Sequence, residues 1–419
     1  MHLIVADDLT GGNDTGIQFV KHGFRTIMGI AAGTAPSGEA DLLVINTNTR
    51  NCSEAEAAAA VAAAADTARR IPGLERPGFV FKKIDSTLRG NLGVELDVLM
   101  RAYGFNIAFF APSYPGQGRA VLEGRLLVRG KALHETEFAR DPLKPISESF
   151  IPSLIAGQTA RRTACIPLAA MTGDADSLAA HVAEQANNGV ELFIFDSTEQ
   201  KHLEIIAAAG MRLPETPLFV GSAGLAEALA ALTAKSGDTF FSPVPVSRLL
   251  FICGSAHHIT HAQVDELADA GVPVIRLPDT LPAEHGNAAC FKKPTEELAS
   301  ALNGGTAVLA APLSRIAPPA GKDLSDIMAD VALAALERTN GKPASTALVL
   351  TGGETAFAVL RKLGQGLVLH RELSPGIVLC TVAGDFWDGL VVVTKAGGFG
   401  VPKTLREILH VFRPRSGGM

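Results

Sequence analysis

Short apolar runs alternate with longer stretches rich in Ala, Leu and Glu along the chain, and this alternation constrains the fold more than any other feature. Strands that alternate with helices are typical of parallel sheets built from crossover units. The sequence therefore predicts the α/β class with mainly parallel sheets. The predicted strands lie at 2–6, 26–30, 42–45, 79–81, 107–111, 192–195 and 218–220, and then at 249–253, 272–277, 307–311, 347–350, 377–382 and 390–393.

Chain length predicts more than one hydrophobic core. A chain of 419 residues should divide into two domains of about 150 to 200 residues each. Residues 236–245 carry irregularly spaced Pro and Gly and no apolar periodicity, as interdomain linkers do. We therefore expect one α/β domain over residues 1–240 and another over residues 247–419.

Composition excludes several classes of protein. The net charge of −6 lacks the basic excess of a nucleic-acid binder, so any anionic ligand needs its own pocket. The five cysteines are scattered, without C-x-x-C spacing, which argues against a disulfide framework. The N-terminal apolar run is too short for a signal peptide, because charge begins at Asp7. We expect a cytoplasmic protein that binds neither nucleic acid nor membrane.

Two polar segments directly follow apolar runs in the N-terminal half. Asp7 and Asp8 come straight after the first run, and K-K-I-D-S-T-L-R-G-N at 82–91 follows the run at 79–81. Ligands of open α/β sheets bind at the carboxyl ends of strands, and clustered charges there are costly unless they are solvated or used. Either segment alone could be an ordinary turn. Together they predict a site for a small, polar, anionic molecule, because opposite charges would meet at neighbouring strand ends.

Three glycine-containing junctions follow apolar runs in the C-terminal half. They are G-S-A-H at 254–257, T-G-G-E-T at 351–355 and K-A-G-G-F-G at 395–400. Glycine lets backbone amides approach a phosphate closely, and a helix N-terminus adds partial positive charge. Three such junctions in one domain predict a nucleotide phosphate site. The sequence contains neither G-x-x-x-x-G-K-[ST] nor G-x-G-x-x-G, so this is neither a P-loop nor a dinucleotide fingerprint.

Three nearby histidines raise the question of a metal site. His257 and His261 would share one helix face at metal-ligand spacing. However, no Glu lies between them in the H-E-x-x-H manner, and no further His or Cys follows nearby. We therefore expect a polar helix start there and no metal held by the protein.

Taken in order, the motifs make the chain resemble the four-carbon acid sugar kinase family. The resemblance covers nearly the whole chain through A-D-D-L-T-G, K-K-I-D-S-T-L-R-G-N, P-G-Q-G-R, G-S-A, T-G-G-E-T and T-K-A-G-G-F-G. It implies an N-terminal domain for the sugar acid, a C-terminal domain for ATP with Mg²⁺, and an active site in the cleft between them. It also implies transfer of a phosphoryl group from ATP to the terminal hydroxyl of the acid.

Site residues follow from the motifs together with the resemblance. Lys82, Lys83 and Arg89 can supply cations for the substrate carboxylate and for the transferred phosphoryl group. Asp8 or Asp85 would accept the hydroxyl proton, and the sequence does not choose between them. The remaining substrate-site residues are Asp7 and Ser86, and the ATP contacts are Ser255, Gly352, Gly353, Glu354, Thr355, Lys395, Gly397 and Gly398.

The segment K-K-I-D-S-T-L-R-G-N at 82–91, which we call the central motif, also indicates which substrate to expect. Family members that act on 3-oxo-tetronates tend to lack its paired lysines and arginine, so D-threonate is the leading candidate, with D-erythronate and 3-oxo-tetronate as alternatives. A hydroxy-acid dehydrogenase should show a dinucleotide fingerprint. A non-catalytic nucleotide-dependent sensor would not need the clustered Asp, Lys and Arg of the first domain. The expected partners are therefore ATP and a small sugar acid.

Overall fold

The computed structural model describes residues 1–34, 36, 38–141, 144–235, 246–279, 291–313, 323–339, 345–384 and 386–413. The chain divides into two compact units, Met1–Thr239 and Phe240–Met419, which we call unit 1 and unit 2. The predicted linker at 236–245 lies outside the described residues. Among the helices of the described ranges, none is both long and apolar enough to cross a membrane.

Unit 1 is built around a parallel β-sheet whose strands are joined mostly through helices. Its strands are β1 (His2–Ala6), β2 (Thr26–Gly29), β3 (Leu42–Asn46), β4 (Val80–Lys83), β5 (Ala108–Ala111), β6 (Arg119–Leu122), β7 (Arg125–Val128), β8 (Lys131–Ala132), β9 (Thr163–Ile166), β10 (Leu192–Phe195) and β11 (Leu218–Gly221). Its helices are α1 (Leu9–Val20), α2 (Glu54–Arg69), α3 (Leu92–Tyr103), α4 (Ile151–Ala156), α5 (Ala175–Asn187), α6 (Gln200–Arg212) and α7 (Ala223–Leu232).

The strand order places the two polar segments of unit 1 side by side. The order is β2-β3-β1-β4-β11-β5-β10-β9, and every neighbouring pair is parallel. Strands β6, β7 and β8 form a separate antiparallel sheet. Since β1 and β4 are direct neighbours, the segments that follow them leave the sheet at the same edge.

The core of unit 1 explains why these strands read as continuous apolar runs. A parallel sheet covered by helices is buried on both faces, so its strands do not alternate apolar and polar residues. Residues 3–6 of β1 are fully buried. On one face the Phe109 ring packs 4.7 Å from that of Phe195 and 6.1 Å from that of Phe219. These aromatic contacts hold β5, β10 and β11 together.

Helix α2 begins with a capping box. The Ser53 hydroxyl accepts from the Glu56 backbone amide, while the Ser53 amide donates to the Glu56 carboxylate at 2.9 Å, which completes a capping box. The buried face of the helix consists mainly of alanines and includes Val61. A capped, Ala-rich helix needs little packing support, which fits a structural role for this segment.

Unit 2 is a second α/β body with a mixed sheet. Its strands are β12 (Arg248–Cys253), β13 (Val274–Arg276), β14 (Thr306–Ala310), β15 (Thr346–Thr351), β16 (Gly366–Ser374), β17 (Ile377–Ala383) and β18 (Val391–Lys395). Its helices are α8 (His258–Asp269), α9 (Lys292–Asn303), α10 (Leu324–Arg338), α11 (Gly353–Leu363) and α12 (Thr404–Phe412). The order is β13-β14-β12-β15-β18-β17-β16, parallel from β13 to β18 and antiparallel across β17 and β16.

The predicted strands are confirmed in both units, and the predicted α/β class with mainly parallel sheets is confirmed with them. Sequence analysis missed β6, β7, β8 and β9 in unit 1. It also missed β16, which carries His370, Arg371 and Glu372 and is buried along only part of its length. Its pairing with β17 is also interrupted by register shifts. An irregular, half-exposed strand lacks the continuous apolar run by which the predicted strands were found.

Candidate active site

The first two predicted segments of the site meet in unit 1. Ala6 at the end of β1 lies opposite Lys83 at the end of β4 in the strand register. Asp7 and Asp8 therefore leave the sheet beside Ile84 and Asp85. The polar segments that were singled out separately in the sequence form one continuous edge of the parallel sheet.

An arginine that sequence analysis missed connects the two aspartates. Arg50 Nε donates to Asp7 Oδ2 at 2.8 Å, and Arg50 Nη2 donates to Asp7 Oδ1 at 2.9 Å and to Asp8 Oδ1 at 2.6 Å. Burial by itself would raise the pKa of Asp7, but the charges of Arg50 and Lys83 hold it below its usual value. The pKa of Arg50 is raised well above its ordinary value, because the attraction of Asp7 and Asp8 outweighs burial. Arg50 therefore holds Asp7 in its ionised form and links it to the Asp8 carboxylate.

A signal for Arg50 is present in the sequence. The segment N-T-N-T-R at 46–50 follows the apolar run of β3, which is the other neighbour of β1. Backbone amides of Thr49 and Arg50 donate to the Asp7 carbonyl, so this loop is tied to the end of β1. Treating the end of the third predicted strand like the ends of the first and fourth would have included Arg50.

Asp85 organises the central motif from within. Its Oδ2 accepts from the Thr87 hydroxyl at 2.5 Å and from Arg89 Nε at 2.5 Å. The turn includes Leu88 at a φ of 60°, a left-handed conformation that is strained for a branched side chain. Burial alone would raise the pKa of Asp85, but the charges of Arg50 and Arg89 hold it far below its usual range. Asp85 is thus a weak proton acceptor and a strong anchor for Arg89.

Arg89 is shared between two carboxylates. Its Nε binds Asp85, and its Nη1 donates to Asp141 Oδ2 at 2.8 Å. The guanidinium also lies 5.5 Å from the centre of the Phe138 ring. This arginine was predicted to bind the substrate, and the structure places it at the site with both ends of its guanidinium already in contact with acidic residues.

Asp8 sits at the start of helix α1. It is the N-cap residue, and its Oδ1 accepts from the Gly11 amide at 3.0 Å while its Oδ2 accepts from the Thr10 hydroxyl at 2.7 Å. A β-carbon at Gly11 would collide with Asp8 Oδ1 and lie 2.6 Å from Lys83 Nζ. The absence of a side chain at Gly11 therefore lets the helix N-terminus, the Asp8 carboxylate and the Lys83 ammonium come together.

The paired lysines of the motif face different surroundings. Successive residues of a strand point to opposite faces of the sheet. Lys83 Nζ donates to the Ile84 carbonyl at 2.8 Å, and no carboxylate of the described chain lies within ion-pair distance of it. Lys82 is instead fully buried and pairs with Glu95 Oε2 of α3 at 2.6 Å. The structure thus brings Lys83 to the site and leaves Lys82, which was also predicted to bind substrate, in the core.

Ser86 is placed where a ligand could use it. It lies between Asp85 and Thr87 in the turn and is half-buried. Its hydroxyl has no hydrogen-bond partner in the described part of the chain, whereas that of Thr87 is taken by Asp85. The Ser86 hydroxyl is therefore available to a ligand, and its binding to the substrate stays a prediction.

The three glycine-containing junctions converge in unit 2. Strands β12, β15 and β18 are neighbours, with Cys253 opposite Thr351 and Thr351 opposite Lys395. A β-carbon at Gly397 would collide with Ser255 Oγ, and one at Gly352 would lie 3.4 Å from the Ser255 amide nitrogen. Gly352 also has a φ of 104°, which a larger residue adopts only with strain. Ser255 thus lies between the other two junctions.

Helix N-termini complete this arrangement. Helix α11 starts at Gly353, with Glu354 exposed in its first turn and Thr355 buried. The Thr355 hydroxyl fills the space beside Gly254, so a β-carbon at Gly254 would collide with it. A β-carbon at Gly398 would lie 3.2 Å from His257 Nε2, next to the start of α8. Backbone amides and helix ends at one sheet edge can bind phosphoryl groups.

Lys395 shapes the last junction from inside. Its buried Nζ donates to the carbonyls of Ala396, Gly397 and Phe399 at 2.9, 3.2 and 3.1 Å. Burial lowers the pKa of Lys395 to about 8. An ammonium group has three hydrogens, and all are directed at this loop. Lys395, which was predicted to contact ATP, therefore lies behind the loop and stabilises it.

Comparison with known proteins gives a family for each part of the chain. Residues 2–229 match the family described as a sugar-binding N-terminal domain, and residues 250–405 match a nucleotide-binding C-terminal domain. The chain is 34% identical over 434 aligned positions to a D-threonate kinase of Salmonella typhimurium, covering 97% of each chain. The chain belongs to the four-carbon acid sugar kinase family. This confirms the family predicted from the motifs.

Two further matches place the chain within the four-carbon acid sugar kinases. A D-threonate kinase of Bordetella bronchiseptica is 33% identical and covers 98% of this chain, with 97% of its own length aligned. A D-erythronate kinase of Heliobacterium modesticaldum is 27% identical over 95% of this chain and 94% of its own. A crystal structure from Haemophilus influenzae shares the fold, with a TM-score of 0.72, 21% identity, and 98% and 100% of the two chains covered.

Proposed function

We propose that this chain is an ATP-dependent kinase that phosphorylates the terminal hydroxyl of a four-carbon sugar acid, with D-threonate as its substrate. The observation that carries the proposal is full-length similarity to proteins named D-threonate kinase, at 32–34% identity. Relatives named for D-erythronate or 3-oxo-tetronate are 27–28% identical. The Lys83 ammonium, which has no carboxylate within ion-pair distance in the described residues, also supports an anionic substrate.

The geometry of unit 1 supports a division of labour among the charged residues. Phosphoryl transfer depends mainly on positioning and on neutralising charge, so the cations of the site matter most. Lys83 has no carboxylate partner within ion-pair distance in the described residues and lies by the N-terminus of α1. It would contact an oxygen of the transferred phosphoryl group, while the Ser86 hydroxyl binds a hydroxyl of the sugar acid.

We assign the proton acceptor to Asp8. Asp85 is held by Thr87 and Arg89 and has a pKa far below its usual range, so it accepts a proton poorly. Asp8 lies beside the Lys83 ammonium, where the terminal hydroxyl and the phosphoryl group would meet. Asp85 would then act by orienting Arg89, and Asp7 by holding Arg50.

ATP would bind at the converging junctions of unit 2. Its phosphates would contact the amides near Gly352, Gly353, Gly397 and Gly398, together with the Ser255 and Thr355 hydroxyls. Magnesium would neutralise charge on the β- and γ-phosphates. Protein sites for magnesium usually supply only one or two carboxylates beside the phosphates. The exposed carboxylate of Glu354 in the first turn of α11 fits that requirement.

The test is an ADP-release assay with the pure full-length protein, ATP and magnesium. The substrates are D-threonate, D-erythronate, 3-oxo-tetronates and the neutral tetritols. We expect the highest kcat/KM with D-threonate. A preference for D-erythronate or a 3-oxo-tetronate would change the substrate but keep the reaction. ATP binding with no turnover of any acid would favour a nucleotide-dependent sensor. Turnover of the tetritols alone would refute the roles proposed for the cations of unit 1.

The place of action is also part of the proposal. The four cysteines within the described residues are free thiols, which is compatible with the reducing conditions of the cytoplasm. ATP and magnesium are abundant there, and we propose this compartment for the reaction. Fractionation of cells, with detection of the protein by antibody, tests the location independently of the activity.

A further inference from the structure

The motif P-G-Q-G-R contributes a further arginine, Arg119, to unit 1. Arg119 follows β5 through a short 3-10 turn, Pro115–Gln117, and begins β6. The amide of Tyr114 donates to the Arg119 carbonyl and the amide of Arg119 donates to the Tyr114 carbonyl, each at 3.0 Å. Arg119 also pairs with Val128 of β7. Its backbone is therefore fixed at the end of a strand of the main sheet.

The side chain of Arg119 is a half-buried cation that lacks a counterion within the described residues. Its Nη1 donates to the Gln117 carbonyl, but its buried Nε has no acceptor within the described residues. No carboxylate of those residues lies within ion-pair distance of it, whereas Arg50 and Arg89 each bind two. A buried guanidinium donor without an acceptor is costly and needs an explanation.

The surroundings of Arg119 connect it to the cluster around Asp85. Burial lowers the pKa of Arg119, and the nearby positive charge of Arg129 acts in the same direction. The charges of Asp85 and Glu137 oppose this shift. Gly221 of β11 lies opposite both Lys83 at the end of β4 and Ala111 at the end of β5, so the segments that carry Asp85 and Arg119 leave the sheet at the same edge. Arg119 therefore belongs to the same site while retaining an unused donor.

We propose that Arg119 binds the carboxylate of the sugar acid. The inference rests on the proposed function, because it presumes a sugar-acid substrate. The charges of Arg50 and Arg89 are each already offset by two carboxylates, whereas Arg119 has none within ion-pair distance in the described residues. Lys83 lies with Asp8 at the end where phosphoryl transfer is assigned. Arg119 is the arginine of this cluster with an open Nε donor, and a guanidinium can bind a carboxylate through parallel hydrogen bonds.

The proposal assigns the two ends of the substrate to different residues. The carboxylate lies at Arg119, and the terminal hydroxyl lies at Asp8 and Lys83. Specificity for an acid over a neutral analogue would then come from Arg119. Arg89, which was predicted for this role from the sequence, would act as a positioning residue through Asp85 and Asp141.

The experiment compares D-threonate with D-threonamide, which lacks the negative charge but keeps the hydroxyls. The ratio of their kcat/KM values is measured for the wild-type protein, Arg119→Gln, Arg89→Gln and Arg125→Gln. Arg125 is an exposed arginine of the same small sheet and serves as the matched control. We expect Arg119→Gln to lower the acid-to-amide ratio by about 10- to 100-fold, mainly through KM for the acid. Arg125→Gln should leave it unchanged.

Two outcomes would overturn the proposal. An unchanged ratio in Arg119→Gln combined with a collapsed ratio in Arg89→Gln would move the carboxylate to Arg89. An equal loss on acid and amide would mean that Arg119 only supports the fold. If Arg119→Gln does not fold, Arg119→Lys keeps the charge and should still lower the ratio, because a lysine cannot make the paired contact. If the wild-type protein phosphorylates no sugar acid, the proposed function itself fails.

Discussion

The Lys82 ammonium lies 2.6 Å from the Glu95 carboxylate, and both side chains are buried in unit 1. Breaking such a pair by removing one partner leaves a buried charge, which costs about 3 to 5 kcal/mol in the free energy of unfolding. We therefore expect Lys82→Met to lower the stability strongly. Chemical denaturation of the full-length protein, with Lys83→Met as the comparison, measures the difference.

Substitution of Lys82 should mainly affect stability, and substitution of Lys83 should mainly affect activity. Lys83→Met removes an ammonium without a carboxylate partner in the described residues, so its stability should stay close to that of the parent while kcat/KM falls by about 10- to 100-fold. The double variant Lys82→Met/Glu95→Leu removes both buried charges and should regain much of the lost stability. If Lys82→Met were as stable as the parent and lost only activity, Lys82 would belong to the substrate site.

Arg50 gives a prediction with a defined pH dependence. The pKa of Asp7 is lowered in the folded protein, so its ionisation contributes stability above its ordinary pKa of 3.8, and that contribution is lost as the pH falls below it. Arg50→Met removes the main attraction that keeps the pKa of Asp7 low despite its burial. We expect a large loss of melting temperature at pH 7 that becomes smaller as the pH approaches 4. Arg101→Met changes an exposed arginine and is the control.

An equal loss for Arg50→Met at pH 7 and pH 4 would contradict this account of Arg50. It would mean that the arginine contributes through packing alone rather than by holding Asp7 ionised.

The two candidate bases can be distinguished by conservative substitution. Asp8→Asn keeps the shape of the N-cap but removes the proton acceptor, so kcat should fall by about 100-fold or more with KM for ATP nearly unchanged. Asp85→Asn weakens the anchor of Arg89, so it should mainly raise KM for the sugar acid. Steady-state kinetics with both substrates varied gives the comparison. A loss of kcat confined to Asp85→Asn would assign the base to the central motif.

Much of the site could be predicted from the sequence because the polar segments follow recognisable strands. Asp7, Asp8, Lys83 and Asp85 were found in this way, and the β1–β4 register confirms that the strand ends are adjacent. That they act on a substrate stays a prediction. Arg50 was missed, since it is 43 residues from Asp7 and the end of the third predicted strand was not treated as part of the site.

The remaining differences concern where side chains point and what they touch. The two-residue period of a strand places Lys82 and Lys83 on opposite faces, but the sequence does not say which face carries the site. Lys395 was predicted beside a phosphate from its position next to glycines. Its three contacts with loop carbonyls depend on the backbone conformation of the loop that follows β18, and the sequence does not specify that conformation.

Lys395 leads to a prediction for nucleotide affinity. Its pKa is lowered to about 8, and above that pH the amine retains two hydrogens for three carbonyls. The affinity for ATP should therefore decrease between pH 7 and pH 9, with a midpoint near pH 8, as measured by calorimetry. In Lys395→Met the affinity should be weak and independent of pH over this range. A parent protein with constant affinity across it would contradict the supporting role of the ammonium.

Phosphorus NMR of the reaction product tests the proposed chemistry. The pure protein is incubated with ATP, magnesium and D-threonate, and the proton-coupled spectrum of the new phosphoester is recorded. We expect a triplet, because the phosphate would be attached to the terminal carbon, which carries two hydrogens, and no such signal with Asp8→Asn. A doublet would place the phosphate on a secondary hydroxyl, and release of inorganic phosphate without any phosphoester would contradict sugar-acid kinase activity.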